Sequence, residues 1–241
     1  MTVLLNSRTI HGGVYALLPV HYEKLSFDLI GQQHPRRSAV ENTIAKCFAD
    51  VYGAHLQRFM PIQLCMSLGT DIAAAVGIRC AENSPLFLER YLDEPIEKVA
   101  SSKLGNEILR ADVVEIGNLI AKWRGASQWL FISLTLLLCE HERPWVTFTA
   151  TREVQKLLRR LNIIPIPLQY ADGERLGEEK SKWGNYYQQN PTVMITHAPT
   201  AKEKMMAHLQ TSECIAQLQP LVTAIDKNCR LCDGGDNGFA N

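Results

Sequence analysis

The residues best placed for chemistry lie in one short stretch, from Glu115 to Ser127. Lys122-Trp123-Arg124-Gly125-Ala126-Ser127 stands where an apolar strand pattern gives way to an apolar helix pattern. A glycine there lets a ligand approach the backbone closely, and the amides that follow are first-turn donors without intrahelical partners. Together with the positive end of the helix dipole they form an anion site suited to phosphate or pyrophosphate, to which Lys122 and Arg124 add charge. A plain strand-to-helix turn carrying a glycine has the same spacing, so the residues alone leave both readings open. Immediately upstream, alternation puts Glu115, Gly117 and Leu119 on one strand face and Ile116, Asn118 and Ile120 on the other. A glycine inside a strand marks a bulge or a close backbone approach. A carboxylate beside it and near an anion site can serve as general base toward an amine. A carboxylate at a sheet edge, or paired with a surface Lys or Arg, fits Glu115 equally well.

Other chemistry is thinly signalled. Cys229-Arg230-Leu231-Cys232 is a lone CxxC without the second half-site that a structural zinc needs. The seven histidines show no HxxH or HxxxH spacing, so no metal is expected. Trp183, Tyr186 and Tyr187 line an apolar pocket or fill a core or lid cluster. No GxSxG, Walker A or dinucleotide-binding glycine pattern occurs.

The elements that must position these residues follow from periodicity. Ser38 and Glu41 have capping-box spacing ahead of the stripe Val40, Ile44, Phe48 and Val51, which predicts a helix from Ser38 to about Tyr52, stopped by Gly53. Gln63 to Leu68 and Ala73 to Ile78 read as adjacent antiparallel strands around the turn near Gly69 to Asp71. Pro85 to Tyr91 and Pro95 to Ser101 each open with proline at a first helical turn. Val113 to Ala121 reads as a strand, Gly125 to His141 as a helix, Trp145 to Ala150 as a strand, Thr151 to Asn162 as an amphipathic helix and Ile163 to Gln169 as a strand. Trp129 to Cys139 is apolar on every side, which places it at the centre of the fold. Ala171 to Lys182 reads as a charged loop, Val193 to Thr196 as a short strand, Ala201 to Ile225 as helical, and the end from Asp226 as a loose tail. The expected organisation is an N-terminal extension with a first strand over 1–35, a core over 36–198, and a helical appendage with its tail over 199–241.

The chain of 241 residues carries no formal net charge. It therefore has no general attraction for nucleic acid or an anionic membrane. The pairs Arg36–Arg37 and Arg159–Arg160 read as solvated helix faces. The first eighteen residues lack the unbroken apolar region of a secretory signal, and the apolar run at 129–139 is about half the length that spans a bilayer at 1.5 Å per residue. Seven irregularly spaced cysteines argue against a disulfide framework and for a reducing compartment. The expected location is the cytoplasm, with no stable membrane insertion.

Several longer blocks resemble the bacterial family named thermostable hemolysins. They are Arg37 to Glu41 (RSAVE), Phe48 to Ala54 (FADVYGA), Arg58 to Pro61 (RFMP) and Gly77 to Arg79 (GIR). Pro85 to Glu97 (PLFLERYLDEPIE), Val114 to Leu119 (VEIGNL), Trp145 to Thr151 (WVTFTAT) and Trp183 to Tyr187 (WGNYY) continue the series. More distantly the same blocks are similar to acyl-homoserine-lactone synthases and the GCN5-related N-acyltransferase fold. The resemblance implies an α/β (α+β) protein with three layers around a central mixed, mostly antiparallel sheet. In that fold the order is strand, helix, three antiparallel strands, strand, phosphate-turn helix, strand, helix, strand.

The resemblance also implies roles. Lys122-x-x-Gly125-x-Ser127 is similar to a degenerate [Q/R]xxGx[G/A] turn, which makes Lys122, Arg124, Gly125, Ala126 and Ser127 the expected binding residues for an acyl thioester of coenzyme A or acyl carrier protein. Glu115 matches the strand glutamate, and Asn118 stands where an arginine usually follows; both are the expected catalytic positions. Arg79 and Phe87 fall on segments similar to the acceptor side and, with Trp183 and Tyr187, are the expected substrate contacts. The tyrosine acid that often follows the fifth strand has no counterpart between Thr149 and Glu153, so Tyr170, Tyr186 or Tyr187 must substitute, or no general acid is used. The implied activity is acyl transfer to a small amine acceptor, with an acyl carrier protein as the macromolecular partner. Two alternatives stand beside it: a membrane-active hemolysin, and a catalytically silent member of the fold that binds a ligand or a partner.

Overall fold

A computed structural model describes residues 25–123, 125–207, 209–225 and 231, with only the backbone described for 209–214. Arg124, the tail cysteines and most of the N-terminal extension therefore lie outside the described residues. Among the described residues seven strands form one sheet: β1 (Leu25–Ile30), β2 (Ile62–Leu68), β3 (Asp71–Cys80), β4 (Val113–Ala121), β5 (Trp145–Ala150), β6 (Ile166–Tyr170) and β7 (Thr192–His197). Their order is β1-β2-β3-β4-β5-β7-β6, with β4 and β5 the one parallel pair and all other neighbours antiparallel. The helices are α1 (Arg37–Tyr52), α2 (Ile96–Leu104), α3 (Ala126–Glu140), α4 (Arg152–Arg160), α5 (Ala198–Met206) and α6 (Leu209–Thr223).

Strand alternation divides the buried side chains into two cores. Cys65, Ala75, Val113, Ile120 and Ile195 join α1 and α2 on one face, while Leu64, Val76, Val114, Ile116 and Leu119 join α3 to α6 on the other. This is the expected three-layer arrangement around a mixed, mostly antiparallel sheet. Helix α3 is buried from Ala126 to Leu138, between the sheet and the C-terminal helices α5 and α6. Its apolar circumference thus finds cover on both sides.

Several local expectations give way to longer-range ones. Ser38 does not cap α1; the helix begins one residue earlier, Arg36 is its N-cap without a side-chain bond, and Glu41 accepts a 2.6 Å bond from Arg37 Nε. A charge-assisted bond from a guanidinium outcompetes the weaker cap. The solvated-face reading of Arg36–Arg37 fails too, since Arg37 is 6% exposed and Arg36 binds Asp28 at 2.7 Å and Ser67 at 2.8 Å. Three strands rather than four separate α1 from α3. The region read as a loop over Ala171 to Lys182 forms 3-10 turns (Gly173–Trp183), and the helical stretch after residue 197 breaks into α5 and α6. Strand β7 inserts between β5 and β6. Cys47, Cys65 and Cys139 are free, and Cys80 is disulfide-bonded, where the irregular cysteine spacing had argued against a disulfide framework. Among the described residues no helix is long and apolar enough to cross a membrane.

Candidate active site

The site begins with an irregularity in β4. Across β3 and β4, Gly77 faces Gly117 and Ala75 faces Ile120, so Asn118 and Leu119 together oppose Val76. This is a β-bulge. Asn118 takes φ +50°, a left-handed conformation that asparagine tolerates better than most side chains. The extra residue reverses the alternation beyond it: Leu119 joins the α3 core and Ile120 the α1 core, opposite to the uninterrupted pattern. Just before the bulge, at Ile116 opposite Phe148, β4 stops pairing with β5. From Gly117 to Ala121 the β4 edge that faced β5 has no strand partner among the described residues, and Gly117 and Asn118 line a cavity there.

Glu115 lies on the α1 face, one pleat before Gly117, and is 3% exposed. Its carboxylate accepts bonds from the Phe87 amide (2.8 Å) and the Leu88 amide (3.0 Å). Arg79, its register partner on β3, brings Nη1 to 4.0 Å. Burial pushes the Glu115 carboxyl up to about 7, against the opposing pull of Arg79 and the two amides. Burial also lowers the Arg79 guanidinium, with Glu115 holding it up. A carboxylate that titrates near neutrality inside a cavity is suited to accepting and returning a proton.

The two amides are themselves held. They open the 3-10 turn Phe87–Tyr91, and Glu89 in that turn accepts bonds from the Leu86 amide (2.8 Å) and the Ile96 amide (2.9 Å). Arg110 grips both Glu89 oxygens at 2.7 and 3.0 Å, Glu97 at 2.8 Å and the Ala81 carbonyl at 2.8 Å. The segment ahead of α2 is thereby tied to the chain just before β4. Glu89, Glu97 and Arg110 carry no motif of their own, and the Arg110 bonds that join them span 21 and 13 positions.

Glu115 faces a cavity of about 110 Å³ that Arg79, Gly117, Asn118 and Thr149 also line. Its walls are aromatic: Phe48, Phe59, Phe87, Tyr91, Trp183 and Tyr186. Arg58, Glu179 and Lys182 add charge to the lining. The Trp183–Tyr187 stretch reaches this wall because Gly184 lies against the end of α1. A Cβ on Gly184 would stand 1.9 Å from the Tyr52 carbonyl oxygen, and its φ of +54° also favours glycine. The Trp183 ring then meets Phe87 at 5.4 Å and Tyr186 at 5.3 Å between centroids.

Among the sequence-predicted substrate contacts, Arg79, Phe87 and Trp183 line this cavity with Glu115 and Asn118. Tyr187 stands behind it, its hydroxyl 2.5 Å from that of Tyr91. Of the three tyrosines considered as acids, Tyr186 lines the cavity, and burial raises its hydroxyl well above the usual tyrosine range. Tyr170 is about half exposed on β6, an edge strand. Asn118 lines the cavity, and its Oδ1 accepts the Met60 amide at 2.9 Å.

The turn after β4 lies apart from the cavity lining. Lys122 is exposed, Gly125 is the N-cap of α3 at φ +99°, and Ala126 and Ser127 are buried in the first turn. Trp123 packs on Trp129 at 4.8 Å, which fixes the entry of the turn into the helix. Among the described residues no cluster of three or more metal-ligating side chains forms.

The family model described as Thermostable hemolysin matches residues 30–201. No curated protein matches. Among solved structures, a CoA-dependent acyl-homoserine lactone synthase, BjaI, with SAM and isopentyl-CoA, is similar at TM-score 0.53 and 8% identity, over 81% of this chain and 99% of that one. FeeM, an N-acyl amino acid synthase from uncultured soil microbes, is similar at TM-score 0.53 and 10% identity, over 76% of this chain and 95% of that one. At such identities the likeness is one of fold, which is GCN5-related N-acyltransferase-like.

Proposed function

The chain belongs to the thermostable hemolysin family, and we propose that it is an N-acyltransferase, passing an acyl group from a coenzyme A or acyl-carrier-protein thioester to a small amine. The observation that carries this reading is Glu115: a buried carboxyl, poised near pH 7, in an aromatic cavity beside the bulge where β4 leaves β5. The two structural neighbours, a CoA-dependent acyl-homoserine lactone synthase and an N-acyl amino acid synthase, support the class of reaction through shared fold.

In this reading Lys122 and the first amides of α3, from Gly125 to Ser127, hold the pyrophosphate or phosphopantetheine of the donor, with Arg124 adding charge. The unpaired β4 edge beyond Ile116 polarises the thioester carbonyl, which gains negative charge as it is attacked. The amine enters as an ammonium and Glu115 removes one proton, directly or through a water. Its nitrogen lone pair forms the C–N bond, the C–S bond breaks, and the thiolate leaves. Glu115 then returns its proton to that thiolate, directly or through a water, which restores its charged form; the buried Tyr186 hydroxyl, held well above its usual range, is the weaker acid. The second ammonium proton returns to solvent once the amide has formed. Asn118 serves as a positioning residue through Met60.

The test is amine-dependent release of free thiol from acyl-coenzyme A thioesters of stepped chain length, with the amide product identified by mass. Glu115→Gln is expected to lower turnover by about 10²-fold or more, the usual contribution of a general base, with thioester binding retained. No thiol release across the donor and amine panels would overturn the reading. So would lysis of liposomes by the purified protein without any small-molecule substrate.

A further inference from the structure

Gly77 and Gly117 face each other across β3 and β4, and Met60 lies over both. A Cβ on Gly77 would stand 2.5 Å from Met60 Cβ, and one on Gly117 would stand 2.7 Å from Met60 Cε. The paired glycines therefore form a notch that the Met60 side chain occupies. The Met60 backbone has no freedom to leave it. Its amide donates to Asn118 Oδ1 at 2.9 Å, and its carbonyl accepts from Arg37 Nη2 at 2.6 Å and Gln63 Nε2 at 3.1 Å. Arg37 Nη1 also binds the carbonyls of Ile30 and Pro61, so a buried guanidinium holds the strand before Met60 and the residue after it.

This degree of backbone fixation around one unbranched side chain, beside Glu115 and on the cavity wall, has a consequence for ligand size. The cavity of about 110 Å³ is smaller than the roughly 150 Å³ that accommodates benzene in an apolar core. The thioether is the flexible, removable part of the lining next to the carboxylate. We infer that Met60 is the size gate of this cavity: its side chain, seated in the Gly77–Gly117 notch, restricts the ligand at Glu115 to small amines without a ring or branch next to the nitrogen. The inference rests on the reading of Glu115 as the site of amine binding. It adds the acceptor class and the residue that sets it.

The experiment is calorimetric titration of the full-length protein with a series running from ethylamine through n-butylamine to benzylamine. Circular dichroism checks that each variant is folded. The wild-type protein is expected to prefer the linear amines over benzylamine. Met60→Ala is expected to bind benzylamine at least 10-fold more tightly than wild type, and Met60→Leu to keep the wild-type order. Gly117→Ala displaces Met60 Cε toward the cavity and is expected to weaken n-butylamine binding about 10-fold, an effect that disappears when Met60→Ala is added. This second pair keeps the gate testable if Met60→Ala alone does not fold. An unchanged size order in Met60→Ala, or an equal Gly117→Ala effect with and without Met60, overturns the gate. Absence of amine binding to any of the proteins overturns it as well. A size shift without thioester turnover would retain the gate and remove the acyl-transfer reading; turnover with an unchanged size order would do the reverse.

Discussion

Arg79 and Glu115 are register partners on β3 and β4, and their charged groups stand 4.0 Å apart with each side chain less than a tenth exposed. The pair does not behave as a simple ion pair. Burial disfavours both charges, so the carboxyl rises to about 7 and the guanidinium falls, while each partner opposes the other's shift.

This makes stability depend on pH with a definite sign. In the folded protein Glu115 keeps its proton up to about pH 7, against an ordinary value of 4.5. The native state therefore binds the extra proton between these limits. The stability it contributes is present below pH 4.5 and is lost as pH rises through 7, by at most about 3 kcal/mol. Urea denaturation of wild type and Glu115→Gln at pH 5 and pH 8 measures it. The wild type is expected to lose stability relative to the variant between the two, and a constant difference would show that Glu115 does not titrate there.

The Arg79 charge lowers the Glu115 pKa, so removing that charge has an equally definite direction. In Arg79→Met the acidic limb of the kcat/KM profile, expected near pH 7 in the wild type, moves to higher pH. Activity at pH 9 is then recovered more fully than activity at pH 6. A limb that stays in place would mean that another group sets it.

Much of this arrangement was legible in the sequence where the signal is local. The nine residues of β4 follow from an uninterrupted strand pattern, and α3 from a run that is apolar around its whole circumference. Gly117 announced a bulge or close approach, and both are present. What failed depends on partners far along the chain. Asn118 reaches Met60 across 58 positions, and Arg37 reaches Met60 across 23. No periodicity encodes such a bond, so the Asn118 contact was not foreseen and Arg37 was read as part of a solvated face. The bulge also moved Leu119 and Ile120 to opposite cores, since one inserted residue inverts a period of two.

The Arg37 clamp predicts a large structural penalty away from the cavity. Its guanidinium binds three main-chain carbonyls and Glu41 while 6% exposed. Arg37→Ala leaves those acceptors buried without their donor, at about 3–5 kcal/mol. For a chain of this size that is a fall in Tm of roughly 6–20 °C. Arg37→Lys restores a charge but not the planar fork, and is expected to recover only part of the loss. A Tm for Arg37→Ala within about 2 °C of wild type would contradict the clamp.

Arg110 is expected to act on the site through Glu89. Burial alone would raise the Glu89 carboxyl, but the bonds from Arg110 and from the Ile96 and Leu86 amides hold it below its ordinary value. Arg110→Met releases the segment that presents the Phe87 and Leu88 amides to Glu115. Those amides lower the Glu115 pKa, so the acidic limb of the rate profile shifts upward as the segment loosens. A merely structural role would lower Tm and leave that limb where it is.

Asn118 combines two demands that substitution can separate. Its backbone is left-handed at φ +50°, and its side chain satisfies the Met60 amide. Asn118→Gly accepts the conformation and loses only the bond, at about 1–3 kcal/mol for a buried donor left without its acceptor. Asn118→Ala loses the bond and also places a Cβ in the left-handed region, at roughly 1–2 kcal/mol more. Asn118→Asp keeps an acceptor at the same reach but introduces a second carboxylate beside Glu115, which raises the Glu115 pKa further. The expected order of stability at pH 8 is therefore wild type above glycine above alanine. The aspartate variant is separated from these by a limb moved to higher pH. If alanine and glycine were equally stable, the bulge would have relaxed out of its left-handed turn, and the geometry that presents Glu115 beside an open β4 edge would not depend on Asn118.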